Sequence, residues 1–330
     1  MRIKTNIKSQ FKHWVFGNGK RVSFRRVCSV ICAVVIVIFS TVISLGEQFN
    51  WPLPTWHDLF VMTGLRDDLS LGEDQFRITV FDRGNADCIL LQTGDRFALI
   101  DAAEDDDADK FALYLQRQGI DRLDYVIATH PDADHIGGMD EIVNSTDIGT
   151  FMMPYMPEDY EVTTAAYEKL LTALVEKEIT PLAPEHGQTF IFGNAVIKIL
   201  SGISQYEDTN DQSIVCMITF GDTRFLMMGD AGSKVEKELL ASGIDLKADV
   251  LKAGHHGSRY SSSKDFLEAV SPSYTLITSG LGNSYNHPHK ETLNNLRDVN
   301  SKIYRNDLNG KITVLSDGKT VTVTTEKRSG

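Results

Sequence analysis

The stretch "ATHPDADHIGG", residues Ala128–Gly138, places two histidines and two aspartates within six positions, from His130 to His135. An apolar run at Leu123–Ala128 leads into it and is typical of a β-strand. Imidazole and carboxylate groups bind zinc, manganese and iron, so the stretch predicts a metal site where a strand ends. The alternative is an acidic loop in which Asp134 caps the helix that follows.

Three later segments also carry acids or histidines after apolar runs. Asp230 lies in "RFLMMGDAG", His255 and His256 lie in "LKAGHHGSRYSSS", and His287 and His289 flank a proline in "GNSYNHPHKET". Ligands bind at the carboxyl ends of strands in α/β folds, so we expect these side chains at one edge of a sheet. A helix cap is the alternative for Asp230, and the histidine–proline segment could be a polar loop.

From about residue 75 the sequence alternates strand-like runs with helical periodicity. The predicted helices include 108–118, 138–144 and 165–177, and the predicted strands include 76–81, 88–93, 97–101, 123–128, 189–192, 195–201, 214–220 and 223–228. Strand and helix units continue through "DVLKAG", "SKDFLEAV", "YTLITSG" and "ETLNNLRDV", and the strands "GKITVLS" and "TVTVTTE" close the chain. This order predicts one α/β domain, residues 75–330, with two sheets and outer helices.

The N-terminal region has a different character. Residues 1–26 carry eight basic side chains and no acid, and residues 27–45, "VCSVICAVVIVIFSTVISL", are 19 positions without a charge. A helix of that length reaches roughly 28 Å, close to the thickness of the hydrocarbon core of a bilayer. We expect a basic cytoplasmic segment (1–26), a transmembrane signal anchor (27–45), a connector (46–74) and an extracytoplasmic domain of a single-pass protein in the cell membrane. The alternative is a cleaved signal peptide and a secreted domain.

The charge of the exported part limits its substrates. Beyond residue 45 the chain carries 25 basic and 45 acidic side chains, a net charge of about −20. This excludes a protein that coats nucleic acid nonspecifically, and it confines any such role to a local site in which metal ions supply positive charge. Lys252, Arg259 and Lys290 lie beside the motifs and could offset negative charge on a substrate, or they could be solvated surface.

Two cysteines lie in the predicted domain. Cys88 and Cys216 occur in the strand-like runs "DCILLQT" and "SIVCMITF". Buried free thiols are the simpler interpretation, and a disulfide between them stays open.

The order and spacing of these segments resemble the metallo-β-lactamase fold family, and more closely the lactamase-like domain of ComEC-type competence proteins. The matching runs, over about residues 76–316, are "RGNADCILLQT", "FALIDAA", "HPDADHIGG", "NDQSIVCMI", "FLMMGDAG", "LKAGHHGS" and "NHPHKET". The resemblance implies a four-layer αββα sandwich. The chain departs from the general fold signature at Asp132, which replaces a histidine as in the competence proteins, and at Asn210 and Ser213, where the general fold has a further histidine.

The resemblance also implies one or two divalent ions, zinc or manganese. One ion position would use His130 and Asp132, with Asp230 as the bridge to the other. The other would use Asp134, His135 and one of the paired histidines His255 and His256, with His256 favoured because it directly precedes a glycine. Asp101 at the end of "FALIDA" would orient the motif loop, with Asn210 and Ser213 also behind the ligands. The implied substrate contacts are Lys252, Ser258, Arg259, His287 and Lys290.

The implied activity is that of an extracytoplasmic metal-dependent phosphodiesterase or nuclease, in which a metal-bound hydroxide aligned by Asp132 or Asp134 attacks DNA. One alternative is a hydrolase of a small or cell-envelope ester, phosphoester or lactone, which the net charge favours. A non-catalytic metal-binding module is a second alternative. The competence proteins carry this domain on a many-spanning channel that this sequence does not show, so we do not expect DNA uptake by this chain alone, and we infer no protein partner.

Overall fold

The computed structural model describes residues 24–49, 51, 53–63, 66–105, 108–156, 164–202 and 204–327. Only the last three residues of the predicted basic segment 1–26 are among them. The chain divides into two units, Met1–Asp68 and Leu69–Gly330.

The described part of the first unit contains two helices, α1 (Phe24–Gln48) and α2 (Trp56–Met62). Within α1, Val27–Gly46 has a mean hydropathy of 2.8 and is 6% buried, so by length and composition it could cross a membrane. Helix α2 begins with a capping box, because Thr55 Oγ1 accepts from Asp58 N at 3.1 Å and Asp58 Oδ2 accepts from Thr55 N at 2.8 Å.

The second unit alternates strands and helices along the chain. Its strands are β1 (Phe76–Val80), β2 (Cys88–Thr93), β3 (Arg96–Ala102), β4 (Arg122–Ile127), β5 (Asp147–Met152), β6 (Thr189–Phe192), β7 (Ala195–Ile199), β8 (Cys216–Phe220), β9 (Thr223–Met227), β10 (Val250–Lys252), β11 (Tyr274–Ile277), β12 (Lys302–Arg305), β13 (Ile312–Ser316) and β14 (Val321–Thr325). Its helices are α3 (Ala108–Gln118), α4 (Ala133–Ile136), α5 (Met139–Ser145), α6 (Ala165–Glu176), α7 (Ser233–Ala241), α8 (Lys264–Val270), α9 (Lys290–Asp298) and α10 (Asn306–Asn309).

The strands form two seven-stranded sheets of mixed direction. Their orders are β14-β13-β1-β2-β3-β4-β5 and β12-β11-β10-β9-β8-β7-β6. In the first sheet β3, β4 and β5 run parallel, and in the second β9, β10, β11 and β12 run parallel. The carboxyl ends of parallel neighbours lie at one sheet edge, which brings the loops after them together.

Alternate side chains of the strands divide the core into three clusters. Ile89 and Leu91 of β2 and Phe225 and Met227 of β9 pack in the cluster between the two sheets. The outer face of the first sheet packs against α3, α5 and α6, and the outer face of the second packs against α7, α8 and α9. Helices therefore cover both sheets on the outside, which confirms the predicted four-layer αββα sandwich.

The sequence periodicity located most elements but missed two parallel strands. Strand β2 and helix α3 have the predicted bounds, whereas β8 begins at Cys216 because the amide of Ile214 donates to Thr129 O at 2.8 Å instead of joining the sheet. Strands β5 and β12 were not predicted. In β5, Gly149 interrupts the apolar pattern, and a Cβ there would lie 2.6 Å from Asp124 O.

Candidate metal centre

Four side chains from three loops converge where β4, β9 and β10 end. His135 Nε2 lies 3.3 Å from Asp230 Oδ1, and His256 Nε2 lies 3.2 Å from Asp230 Oδ2 and 3.3 Å from Asp134 Oδ2. The two Nε2 atoms are 3.4 Å apart. Two imidazole nitrogens and two carboxylates that face one another at these distances form a ligand set suited to one divalent ion.

A second group adjoins the first. His130, His135 and Asp230 each place a ligand atom within 4.8 Å of the others. His130 Nε2 is buried without a hydrogen-bond partner among the described residues, and so is Asp230 Oδ1. Asp132 Oδ2 lies 3.9 Å from His130 Nε2, and its side chain is 39% exposed. Buried polar atoms without partners are rare, so these two atoms fit a bound cation.

The pKa values of the three buried histidines show that the cluster favours positive charge at His135 and His256 but not at His130. Burial opposes a charged ring, yet Asp230 and Asp101 hold the pKa of His135 well above its usual value, and Asp230 and Asp134 do the same for His256. Burial and the neighbouring His135 instead lower the pKa of His130 to about 3. A divalent cation at the same atoms would supply this positive charge, and a neutral His130 is ready to bind a metal.

Asp101 and Ser213 lie directly behind the ligands. Asp101 Oδ2 is 2.7 Å from His135 Nδ1, and Asp101 also accepts from Thr129 N at 2.8 Å and from Thr129 Oγ1 at 2.7 Å. Ser213 Oγ accepts from Asp230 N at 3.0 Å and is 3.4 Å from His130 Nδ1. The side-chain amide of Asn210 bonds within its own loop, where it donates to Asp208 Oδ1 at 3.1 Å.

Lys252 does not lie where a substrate could reach it. Its side chain is fully buried, and Nζ lies 2.7 Å from Asp87 Oδ2 and donates to Ala253 O at 3.0 Å. Although burial works against the charged form, Lys252 holds the pKa of Asp87 far below its usual range. The expected substrate contact is corrected to a buried counter-charge, because β10 directs this lysine into the protein.

Asp87 is the functional residue that the sequence analysis passed over. Its Oδ1 accepts from Thr278 Oγ1 and lies 3.4 Å from His256 Nδ1, which is also 2.9 Å from Thr278 O. Asp87, paired with Lys252, thus lies beside Nδ1 of His256 and helps to orient the ring so that Nε2 faces the other candidate ligands. The signal was an aspartate between the turn "RGNA" and strand β2.

The paired histidines take different positions. Both have left-handed backbones, with φ of 49° at His255 and 50° at His256. His256 points into the cluster, whereas the His255 side chain is 30% exposed and its Nε2 lies 4.0 Å from Asp230 Oδ2. His255 therefore stands at the rim, and its ring is 5.5 Å from that of His287.

The remaining predicted substrate contacts divide between the interior and the surface. Ser258 is 1% exposed, and its Oγ accepts from Tyr260 N at 3.3 Å. His287 is 8% exposed and its Nδ1 has no partner among the described residues. Arg259 and Lys290 are exposed, with Arg259 4.0 Å from Glu291. Only these two cations of the predicted set are open to solvent.

The chain is similar in sequence to one protein superfamily and to competence-type relatives. The metallo-β-lactamase superfamily matches residues 81–280, which include every ligand candidate named above. ComE operon protein 3 of Bacillus subtilis (strain 168) is 27% identical over 255 residues, 74% of this chain and 32% of that protein. Competence protein ComA of Neisseria gonorrhoeae is 31% identical over 243 residues, 73% of this chain and 32% of that protein. The chain spans about a third of the length of these relatives.

Among solved structures, the metallo-β-lactamase fold protein YhfI from Bacillus subtilis aligns with 76% of this chain and 99% of its own, at 14% identity and a TM-score of 0.49. With the sandwich, the ligand cluster and the match over residues 81–280, the chain belongs to the metallo-β-lactamase superfamily of metal-dependent hydrolases, with a lactamase-like domain of the ComEC type.

Proposed function

We propose that this chain is a metal-dependent phosphodiesterase that acts on single-stranded DNA. The observation that carries the proposal is the convergence of Asp134, His135, Asp230 and His256 beside His130 and Asp132. Divalent ions in such a centre would supply Lewis acidity toward a phosphodiester. The name of one relative, competence protein ComA, supports DNA as the substrate.

We assign the candidate ligands to two ion positions and one of them also to the attacking water. Asp134, His135, Asp230 and His256 would hold one ion, and His130 and Asp132 would hold a second with Asp230. Oxygen ligands make manganese as suitable as zinc. Among Asp132, Asp134 and Asp230, the side chain of Asp132 is the most exposed to solvent. It would therefore face the substrate and orient the attacking water.

We also propose the orientation of the chain. Residues 27–45 would span the membrane, residues 1–26 would stay in the cytoplasm, and residues 46–74 would connect to an extracytoplasmic domain, 75–330. Release after signal cleavage is the alternative. The exposed Arg259 and Lys290 would be the few local cations near a substrate phosphate.

The test compares substrates on the full chain purified in detergent and loaded with manganese or zinc. We expect cleavage of bis-p-nitrophenyl phosphate and of a single-stranded oligonucleotide, and loss of both in Asp134→Asn. Asp147→Asn is the matched control, because this aspartate begins β5, pairs with Arg122 and is 63% exposed. Its activity should equal that of the wild type.

A small-substrate hydrolase is the second candidate, favoured by the net charge of about −20 beyond residue 45. Turnover of a lactone or a phosphomonoester without phosphodiester cleavage would select it. Bound metal with no turnover of any of these substrates would instead select a non-catalytic metal-binding module.

A further inference from the structure

Three exposed aromatic side chains in the described part of the second unit lie on loops beside the metal centre. In the described part of Leu69–Gly330, Tyr155, Tyr260 and Tyr285 are the exposed members of the Phe, Tyr and Trp set, at 61%, 70% and 64%. Scattered exposed apolar residues are ordinary on a protein surface. Here, however, each tyrosine belongs to a loop that borders the metal centre.

Tyr285 connects to the centre through a series of rings. Its ring stacks on His287 at 5.7 Å between centroids with an interplanar angle of 23°. The His287 ring is 5.5 Å from that of His255, whose Nε2 lies 4.0 Å from Asp230 Oδ2. The exposed face of Tyr285 is therefore two rings away from the carboxylate shared by both ligand groups.

Tyr260 follows the paired histidines on a fixed backbone. Its carbonyl oxygen accepts from Ser233 N at 2.7 Å, three residues after Asp230, and its amide donates to Ser258 Oγ at 3.3 Å. The main chain is thus held on both sides while the ring stays in solvent. A planar ring on a rigid support loses little conformational freedom when another ring stacks on it.

Tyr155 lies on the side of His130. Its neighbour Pro154 lines a small apolar recess with His130 and Pro131. Tyr155 also borders a cavity of about 510 Å³ whose described lining includes Tyr206, Gln212, Glu185 and Asp211 but neither lysine nor arginine. Carboxylates repel phosphate, but they can accept from the amino groups of a base.

These features favour recognition of bases over recognition of phosphates. The chain beyond residue 45 carries a net charge of about −20, so attraction to a phosphate backbone is weak. Base stacking on an aromatic ring does not depend on net charge and tolerates any sequence. We propose that Tyr155, Tyr260 and Tyr285 are stacking positions for the bases of a single strand whose backbone crosses the metal centre. This rests on the proposed phosphodiesterase function.

The experiment measures binding separately from turnover. Full-length protein in detergent with manganese is titrated into a fluorescent phosphorothioate single strand and into an abasic strand of equal length and charge, and anisotropy is recorded. The wild type should bind the base-bearing strand at least about tenfold more tightly. Each Tyr→Ala variant should weaken that binding on the order of tenfold, and the triple variant should bind both strands equally.

Two controls make the result decisive. Tyr→Phe variants keep the ring and should stay within about twofold of the wild type, and Ile191→Ala removes an apolar side chain that is 64% exposed on β6, away from the centre, and should have no effect. Equal binding of the two strands by the wild type, or equal losses in the Phe and Ala variants, would overturn the proposal. Hydrolysis of bis-p-nitrophenyl phosphate reports on the phosphodiesterase function alone, so a wild type that prefers bases but lacks turnover would refute that function and keep the stacking sites.

Discussion

His135 Nδ1 lies 2.7 Å from Asp101 Oδ2, and both side chains are fully buried. Thr129 donates to the same carboxylate through its amide, to Oδ1, and through its hydroxyl, to Oδ2, and these two bonds fix the orientation of Asp101. The contact therefore holds the ring with Nε2 toward Asp230 and His256. A carboxylate behind a ligand histidine sets the orientation and the basicity of the ring.

Asp101→Asn should weaken metal binding by about 10- to 100-fold, because the amide removes the negative charge behind His135. Asparagine can still accept from Thr129 N, so thermal unfolding should change far less than metal affinity does. Affinity is measured by competition with a chelator, with Asp147→Asn as the control. Wild-type affinity in Asp101→Asn would show that this carboxylate has no part in metal binding.

Asp134→Asn and Asp230→Asn should each remove most of the bound zinc or manganese from purified protein, as measured by elemental analysis. Each change replaces a charged ligand that faces His256 Nε2, at 3.3 Å for Asp134 and 3.2 Å for Asp230. Asn210→Ala is the control, since its amide bonds to Asp208. If both aspartate variants keep their full metal content, the ligand assignment is wrong.

The sequence was sufficient to predict that the candidate ligands meet, although it did not reveal Asp87 behind them. Apolar runs that end in acids or histidines predicted one sheet edge, whereas the structure brings the candidate ligands together from two sheets. His130, Asp134 and His135 follow β4 of the first sheet, and Asp230 and His256 follow β9 and β10 of the second. Within each sheet, parallel strands place their carboxyl ends at one edge. The packing of the two sheets on each other then brings the two edges together, and the sequence pattern does not specify that step.

Side-chain direction could not be predicted in the same way. The glycine after His256 favoured that residue over His255 as the ligand, and His256 is the ring that faces Asp230. The two consecutive left-handed residues that turn it inward are not specified by the letters "GHHG". Lys252 reads as a surface cation until Asp87, 165 positions earlier, is found beside it. Such long-range pairing is set by the packing of the whole sandwich and not by local pattern.

Lys252→Met should cost about 3–5 kcal/mol of unfolding free energy in urea, because it leaves Asp87 buried without a counter-charge. The control is Lys234→Met, since Lys234 is 69% exposed and lies 3.9 Å from Asp211. That variant should stay within about 0.5 kcal/mol of the wild type. Equal, small effects of the two substitutions would mean that Lys252 is not the counter-charge of Asp87.

Cys88 and Cys216 should both be free and unreactive in the folded protein. They pack in different layers, Cys88 beneath the helices and Cys216 between the sheets, which separates them and answers the question of a disulfide. Burial raises the pKa of the Cys216 thiol to about 12 and also raises that of Cys88. At about pH 8 only roughly one Cys216 in ten thousand would be a thiolate, the form that reacts.

The measurement is labelling with a thiol reagent in a Cys28→Ser/Cys32→Ser background. No label should enter the folded protein, two thiols should react after denaturation without reductant, and the rate should rise as the pH approaches the raised pKa values. Labelling of the folded protein at neutral pH, or a need for reductant after denaturation, would contradict the structure.

The orientation of the chain can be read with tags at both ends. Protease added to intact cells, or to spheroplasts where an outer membrane is present, should remove a C-terminal tag and spare an N-terminal one. The physical reason is the bias of basic residues toward the cytoplasm, since residues 1–26 carry eight of them and no acid. A C-terminal tag protected until the cells are lysed would refute the orientation.

Two further experiments distinguish a signal anchor oriented by its basic residues from a cleaved signal peptide. Replacement of the eight basic residues by glutamine should make the orientation mixed, because it removes the charge that keeps this end inside. A mature fragment that begins near Glu47 would instead identify a cleaved signal peptide. In that case the apolar helix Val27–Gly46 is a targeting element, and activity should be recovered from the medium or periplasm and not from membranes.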